Sequence, residues 1–371
     1  MEKIEDELKK VLPPVQSGTP DKSGAVSLTE TLTKKVFPGL KQTTSRDTAG
    51  TGCEAGTGNK AVADCEVSDE SINALFIPGA DILYRGGKRW RPLLMTLICE
   101  SLGGGDTALP LTPLVELCHN ASLIHDDIED NSDERRGKPA VHHIYGVDTA
   151  INSGTFLYFL ASICIESWTG DKSEIYRLWA EYMRKLHLGQ AMDINWHRNF
   201  AIIPSVEEYY TMCGLKTGCL ARFAAAIGIY AAGTVSKTQG TEKLEDAAEK
   251  LGVGFQILDD VKNLKTGVPG KKRGDDIVEG KKSLPILLFL HQNPEKQEFV
   301  YNCFTAAREK GVNAPEVEEL IQALTQAGVL DKAERKGLEL IAGAREVFSA
   351  AAPDQNNKSR ALLANFTELI S

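Results

Sequence analysis

Leu123-Ile124-His125-Asp126-Asp127-Ile128-Glu129-Asp130 puts two adjacent aspartates and a third acid three residues later at the end of an apolar run. Leu258-Asp259-Asp260-Val261-Lys262-Asn263 echoes it, with Asn263 in the last place. On a helix, residues 126, 127 and 130 share one side, because positions three and four apart are neighbours. Carboxylates crowded there repel one another: two held about 4 Å apart at an effective dielectric near 20 cost roughly 4 kcal/mol. A divalent cation removes that cost, and oxygen-only donors without a His or Cys set favour Mg2+. Mg2+ held by a few carboxylates usually completes its shell with phosphate oxygens. Two such motifs facing each other would clamp a polyphosphate from both sides. A single acidic run is most often a solvated helix face. Here the flanks are Leu117, Ala121, Ser122 and Leu123 before the first motif, and Gly254, Phe255, Ile257 and Leu258 before the second. Charge at the end of a buried helix is not a solvated face, and its double occurrence points to a site.

The chain has 371 residues, enough for one large domain or two medium ones, and 42% apolar residues, enough for a substantial core. A net charge of −9 argues against general nucleic-acid binding but leaves room for a local basic pocket. The eight cysteines (53, 65, 99, 118, 164, 213, 219 and 303) show no CxxC and no pairing rhythm. Most lie in apolar helical stretches, as buried free thiols in a reducing compartment would. Met1-Glu2-Lys3-Ile4-Glu5-Asp6 lacks the apolar core of a signal peptide, and the longest apolar run, Thr155 to Ile165, is short for a membrane span. The expectation is a soluble cytoplasmic protein without stable membrane insertion.

Residues 1–12 read as a short amphipathic helix ending at Pro13-Pro14. From about Gln16 to Lys60 the chain turns to Gly, Ser, Thr and small polar residues, a composition that cannot offset its ordering entropy. A mobile loop is expected there, with a helical turn near Leu28–Val36, so 1–60 reads as helix plus polar loop. From Ala61 a period of 3.6 residues runs through nearly every segment. It predicts helices over 62–84, 90–103, 111–130, 147–168, 172–197, 206–232, 241–264, 281–291, 295–310, 314–327, 330–349 and 357–370. No alternating strand pattern of useful length appears. Residues 61–371 therefore read as one all-α domain of long helices.

Basic residues supply the complement to the acids. Gly86-Gly87-Lys88-Arg89-Trp90-Arg91-Pro92 lets backbone approach a ligand and projects Lys88 and Arg91 from the following turn. Arg suits bidentate phosphate contacts, and Lys offers a point charge. Arg135-Arg136-Gly137 follows the first acidic motif directly, and adjacent arginines point in different directions, which suits two anions. Lys216-Thr217, Lys271-Lys272-Arg273 and Lys281-Lys282 read by default as surface lysines. Together with the acids, they fit two diphosphates: one held by acids plus Mg2+, a second in a purely basic pocket. Two diphosphates side by side suggest two substrates being joined.

These motifs together resemble the trans-isoprenyl diphosphate synthase (polyprenyl synthetase) family from about residue 75 to the C-terminus. The resemblance rests on both aspartate-rich motifs, GGKxxRP, the RRG after the first motif, Gly189-Gln190-Ala191-Met192-Asp193, Lys216-Thr217 and the FQxxDD around Gln256. It implies the isoprenoid synthase fold, a bundle of long helices around a central cavity. Carried over residue by residue, Asp126, Asp127 and Asp130 would bind two Mg2+ ions, and Asp259 and Asp260 a third. Lys88, Arg91, His119 and Arg136 would hold isopentenyl diphosphate. Arg135, Lys216, Thr217, Gln256, Lys272 and Lys281 would hold the allylic diphosphate. Relatives are mostly homodimers, and 147–165 is a plausible contact face that could equally be core.

Product length follows from what lines the path of the growing tail. Ala121 and Ser122 lie five and four residues before Asp126, about 6–7 Å along the helix axis. Farnesyl-making relatives are bulky there, so a C15 floor is absent. Phe156, Tyr158, Phe159 and His187 come next. RRGKPxxH with INS…YF resembles the eukaryotic-like geranylgeranyl diphosphate synthases, in which the aromatic pair (Tyr158, Phe159) and the histidine (His187) close the pocket. A C20 product is expected, with a longer polyprenyl product if Tyr158 or Phe159 turns aside. A class I terpene cyclase would not need Lys88, Arg91 and Arg136, and a non-catalytic partner subunit would have lost acids from one motif. Asn263 in place of the third aspartate should weaken one metal contact modestly.

Overall fold

A computed structural model describes residues 1–14, 33–38, 41–43, 66–233, 239–267, 272–351 and 358–370. Most of the expected polar loop at 16–60, with Cys53 and Cys65 and most of the turn expected near Leu28–Val36, lies outside the described residues; 33–36 are helical. Among the described residues the fold is all-α apart from two minimal sheets. Lys41–Thr43 pairs in parallel with Glu66–Ser68, and Glu134–Arg135 pairs antiparallel with Lys138–Pro139. Both are too short to leave an alternating signature in the sequence. The chain divides into two compact units, Met1–Lys88 with Leu109–Thr169, and Arg89–Ala108 with Gly170–Ser371.

In the first unit, Glu2–Val11 buries Ile4, Leu8 and Val11, with acids in its first turn and lysines in its last, as the helix dipole favours. It packs on Thr112–Glu129, and the Tyr84 hydroxyl donates to the Leu12 carbonyl at 2.6 Å. The helix expected from residue 62 begins at Asp69, because 66–68 are taken by a strand and the Ser68 hydroxyl caps the helix by accepting from Ser71 N–H. Val147–Leu160 packs against both Asp69–Tyr84 and Thr112–Glu129. There Phe156 meets Phe76 edge-on at 5.0 Å, and the Ser153 hydroxyl donates to Leu75 O. The single helix expected over 147–168 is broken: Ile163–Ser167 is a separate short piece.

In the second unit, Gln239–Lys265 packs along Val329–Ala350 and against Cys219–Ala231, which in turn packs on Trp90–Ser101. The helix expected over 206–232 runs through Val206–Cys213, a π-helical turn at Gly214–Gly218, and Cys219–Ala231. Val206–Ala231, rather than the shorter run Thr155–Ile165, is long and apolar enough to cross a bilayer. Its most apolar window is 78% buried inside the protein, so it is a core helix. None of the six described cysteines forms a disulfide, and all are buried, as their apolar neighbours implied.

The C-terminal helices complete this core. Phe348, on Val329–Ala350, is fully buried and meets Phe366 edge-on at 6.3 Å, within a cluster that includes Leu94, Ile98, Ala225 and Leu251. Phe348→Ala should therefore destabilise the protein by about 3–5 kcal/mol through lost transfer energy and a residual cavity. Denaturant melts of the two proteins check this; a loss below about 1 kcal/mol would mean that the ring is not packed as described.

Candidate active site

The first acidic motif sits at the C-terminal end of Thr112–Glu129, with Asp130 as C-cap. That end carries the negative pole of the helix dipole, so clustered carboxylates there are doubly unfavourable without a cation. The chain supplies one by turning sharply back. Asn131 adopts φ 51°, Ser132 N–H donates to Asp127 O at 2.8 Å, and Asn131 N–H donates to Ile128 O at 3.3 Å. This paired pattern is a Schellman ending with Asn in the left-handed position. It brings Arg135 back onto the acids. The Arg135 Nε donates to Asp127 Oδ1 at 2.8 Å, its Nη2 contacts the same oxygen more closely, and Asp126 lies 3.9 Å away. The Asp127 side chain is fully buried. Burial opposes the charge on Arg135, but the Asp127 hydrogen bond and the charges of Asp127, Asp126 and Asp130 outweigh it and raise the guanidinium further.

Arg136 and Gly137, both at positive φ (54° and 73°), form the two central residues of the hairpin turn between the short strands. Two such residues make a type I′ turn, whose twist matches the flanking strands. Arg136 is thereby pointed away from Arg135: its Nη1 donates to Ile82 O at 2.8 Å and Asn120 Oδ1 at 3.0 Å. The Asn120 amide donates in turn to the buried Glu116 carboxylate at 2.9 Å. Arg85, which the sequence reading did not single out, holds this hairpin. Its side chain is fully buried, pairs with both oxygens of Asp81, and donates to Arg135 O at 3.2 Å and Pro139 O at 2.8 Å.

In the second unit, the second acidic motif divides its two aspartates. Asp259 is exposed and Asp260 buried. Asp260 Oδ2 accepts from the Tyr209 hydroxyl at 2.7 Å and Oδ1 from the Gln256 amide at 2.8 Å, while Gln256 Oε1 accepts from Thr217 at 2.7 Å. Burial first, then the nearby Asp276 carboxylate, pushes the Asp260 carboxyl well above the usual carboxylate range. Lys216 and Thr217 lie on the π-helical turn, a distortion common at functional sites. Successive side chains there serve different partners, Lys216 donating to Asp193 Oδ2 at 2.6 Å and Thr217 to Gln256. Gly189 lets the neighbouring helix approach, since a Cβ there would lie 2.4 Å from Lys216 N. Burial would raise the Asp193 carboxyl, but the charges of Lys216 and Lys281 overcome it and hold it below its ordinary value.

The remaining expected residues are scattered more widely in character. Lys88 and Lys272 are exposed and His119 is half-buried. Arg91 is buried, its guanidinium 4.4 Å from the Trp90 ring centre. Lys281 and Lys282 are not surface lysines. Lys281 pairs with Glu279 at 2.5 Å and Asp276 at 3.8 Å. Lys282 is buried, donates to Trp196 O at 3.0 Å, and is lowered to about 8 by burial and then by Arg308. Ala121 is fully buried, and the Ser122 hydroxyl donates to His119 O at 2.8 Å. Tyr158 is nearly buried and stacks at 5.8 Å on His125, whereas Phe159 is 62% exposed. His187 is exposed and its Nδ1 lies 2.8 Å from Met183 O.

Among the described residues, no three His, Cys, Asp or Glu side chains converge on one point. The donors are nonetheless the hard oxygens that Mg2+ selects, and at Asp126 and Asp127 the Arg135 guanidinium supplies the positive charge the acids require. The residues present suit the ion. For the hairpin, Arg85→Met should cost about 3 kcal/mol, because Asp81 loses the partner that neutralises it. Arg85→Lys should fail to restore it, since one ammonium cannot reproduce the planar fork. Thermal denaturation of both variants tests this, and wild-type melting of Arg85→Met would contradict it.

The Polyprenyl synthetase family model matches residues 74–324 of the chain. A short chain isoprenyl diphosphate synthase of Methanocaldococcus jannaschii is 36% identical over 256 residues, 67% of this chain and 76% of that protein. A geranylfarnesyl diphosphate synthase of Aeropyrum pernix is 31% identical over 293 residues, 76% of this chain and 89% of the relative. The crystal structure of a geranylgeranyl pyrophosphate synthetase from Pyrococcus horikoshii superposes with a TM-score of 0.71 at 29% identity, covering 81% of this chain and 91% of that one. The buried acids, the guanidiniums set against them and the all-α frame thus come together in a chain that belongs to the polyprenyl synthetase family of prenyltransferases.

Proposed function

We propose that residues 61–371 catalyse the Mg2+-dependent head-to-tail condensation of isopentenyl diphosphate with an allylic diphosphate, giving a trans-prenyl diphosphate with C20 geranylgeranyl diphosphate as the main product. The observation that carries this reading is the fully buried Asp127 held against Arg135 beside Asp126. A buried ion pair is seldom worth more to stability than apolar packing in its place, so the pair supports a binding role for these charges.

Asp126, Asp127 and Asp130, with Asp259 and Asp260, are the residues that would hold the metal ions. Mg2+, when bound, supplies positive charge against the charge gathering on the departing diphosphate. Arg135, Lys216, Thr217, Gln256, Lys272 and Lys281 orient the allylic diphosphate, and the cations among them stabilise it as it leaves. Lys88, Arg91, His119 and Arg136 hold isopentenyl diphosphate with its double bond towards the allylic carbon. The allylic carbon–oxygen bond breaks with its electron pair going to diphosphate, and the double bond of isopentenyl diphosphate forms the new carbon–carbon bond. The resulting cation loses a proton to the released diphosphate. Ala121 and Ser122 leave the tail room past the C15 length, and Tyr158, Phe159 and His187 limit it at C20. A longer product is the second reading, favoured by the 62% exposure of Phe159, which leaves the stop to Tyr158. The active form on this reading is a homodimer packed through 147–165, which the exposed apolar side chains Val147, Ile151 and Phe159 support.

Incubation with isopentenyl diphosphate and dimethylallyl, geranyl or farnesyl diphosphate, with Mg2+ or EDTA, tests the activity once the products are dephosphorylated and sized. A C20 alcohol that disappears with EDTA is expected, along with longer alcohols from Tyr158→Ala. Dominant products of C30 or more from the wild type would remove the aromatic floor, a cyclic hydrocarbon would mean a cyclase, and no turnover with any primer would point to a partner subunit. Light scattering should give twice the chain mass; a monomer mass would contradict the homodimer.

A further inference from the structure

The buried tyrosine behind the second acidic motif is not explained by packing alone. Tyr209 lies in Val206–Cys213, a helix started by a reciprocal cap in which Ser205 and Glu208 hold each other's backbone N–H. The ring is fully buried, yet its hydroxyl is delivered to Asp260 Oδ2 at 2.7 Å. Gln256 takes the other oxygen, and Gln256 is itself fixed by Thr217. The carboxylate is therefore gripped at both oxygens by neutral donors, with Asp259 exposed beside it. Neutral donors fix the plane of a carboxylate without neutralising it, leaving further lone pairs and the negative charge for a cation.

We infer that Tyr209 is a positioning residue for metal binding: its hydroxyl sets the orientation of Asp260 through a contact made from behind the site. The inference rests on the proposed role of Asp260 as a metal-holding group. Outer hydrogen-bond partners of ligating groups typically contribute about 10- to 100-fold to metal affinity.

The test is Tyr209→Phe in the full-length protein, with two readouts. The first is the Mg2+ concentration that half-saturates the thermal shift produced in the presence of inorganic diphosphate; the second is the Mg2+ dependence of prenyl transfer. Both half-saturating concentrations should rise at least about 10-fold, with little change in melting temperature in EDTA and in KM for the allylic primer. In an Asp260→Asn background the same substitution should produce a much smaller rise. A purely structural tyrosine would lower the EDTA melting temperature and leave both Mg2+ midpoints unchanged, which would overturn the inference. So would an equal rise in the Asp260→Asn background. If the wild type itself gives no Mg2+-dependent shift, the metal reading of the site fails, and the role of Tyr209 with it. Tyr209→Met, which also lacks the hydroxyl, replaces the Phe variant should that not fold.

Discussion

A carboxylate buried at the negative end of a helix dipole is the constraint from which the first compact unit follows. Asp127 is in that position on Thr112–Glu129, and the chain answers it with Arg135. Everything local serves that contact. The left-handed Asn131 reverses the chain, the Ser132 N–H closes the Schellman pattern, and the two-residue turn at Arg136-Gly137 lets the strand carrying Arg135 return alongside. Arg85 then ties that hairpin to the end of Asp69–Tyr84 through Asp81. Breaking a buried pair of this kind by removing one partner costs about 3–5 kcal/mol. That cost keeps Arg135 and Arg136 in register on the hairpin.

The second unit manages its buried acids differently. Asp193 is neutralised directly by Lys216, whereas Asp260 is held by the neutral donors Tyr209 and Gln256. The contrast matters because a lysine partner uses up the negative charge that a metal would need, while a phenol leaves it in place. The π-helical turn at Gly214–Gly218 makes both solutions possible within adjacent residues, sending Lys216 to one acid and Thr217 to the amide that supports the other.

Much of this was legible in the primary structure, and the reasons are specific. The 3.6-residue period places most of the long helices to within a few residues where their buried faces are continuous, as in Lys172–Arg198 and Gln239–Lys265. The acid pairs and the arginine pair were readable because charge beside apolar runs is rare. Features set by tertiary context escaped. The break before Ile163 carries no Gly or Pro, and the strands are two and three residues long. Lys281 and Lys282 look like surface lysines until their acidic and carbonyl partners are in place. Tyr209 acts on a residue 51 positions away, and the Asp81–Arg85 spacing marks a helix ion pair without revealing that Arg85 also holds the hairpin at Arg135 and Pro139. Phe159, expected to close a pocket, is turned to solvent in the single chain.

The central claim is that the Asp127–Arg135 pair stands in for the metal and diphosphate charges that the site is built to receive. Crystallography of the protein with Mg2+ and inorganic diphosphate tests it most directly. The expected result is Asp127 on the metal, with the Arg135 guanidinium released from it and hydrogen-bonded to diphosphate oxygens. An intact Asp127–Arg135 pair, with diphosphate and metal bound away from both residues, would contradict it.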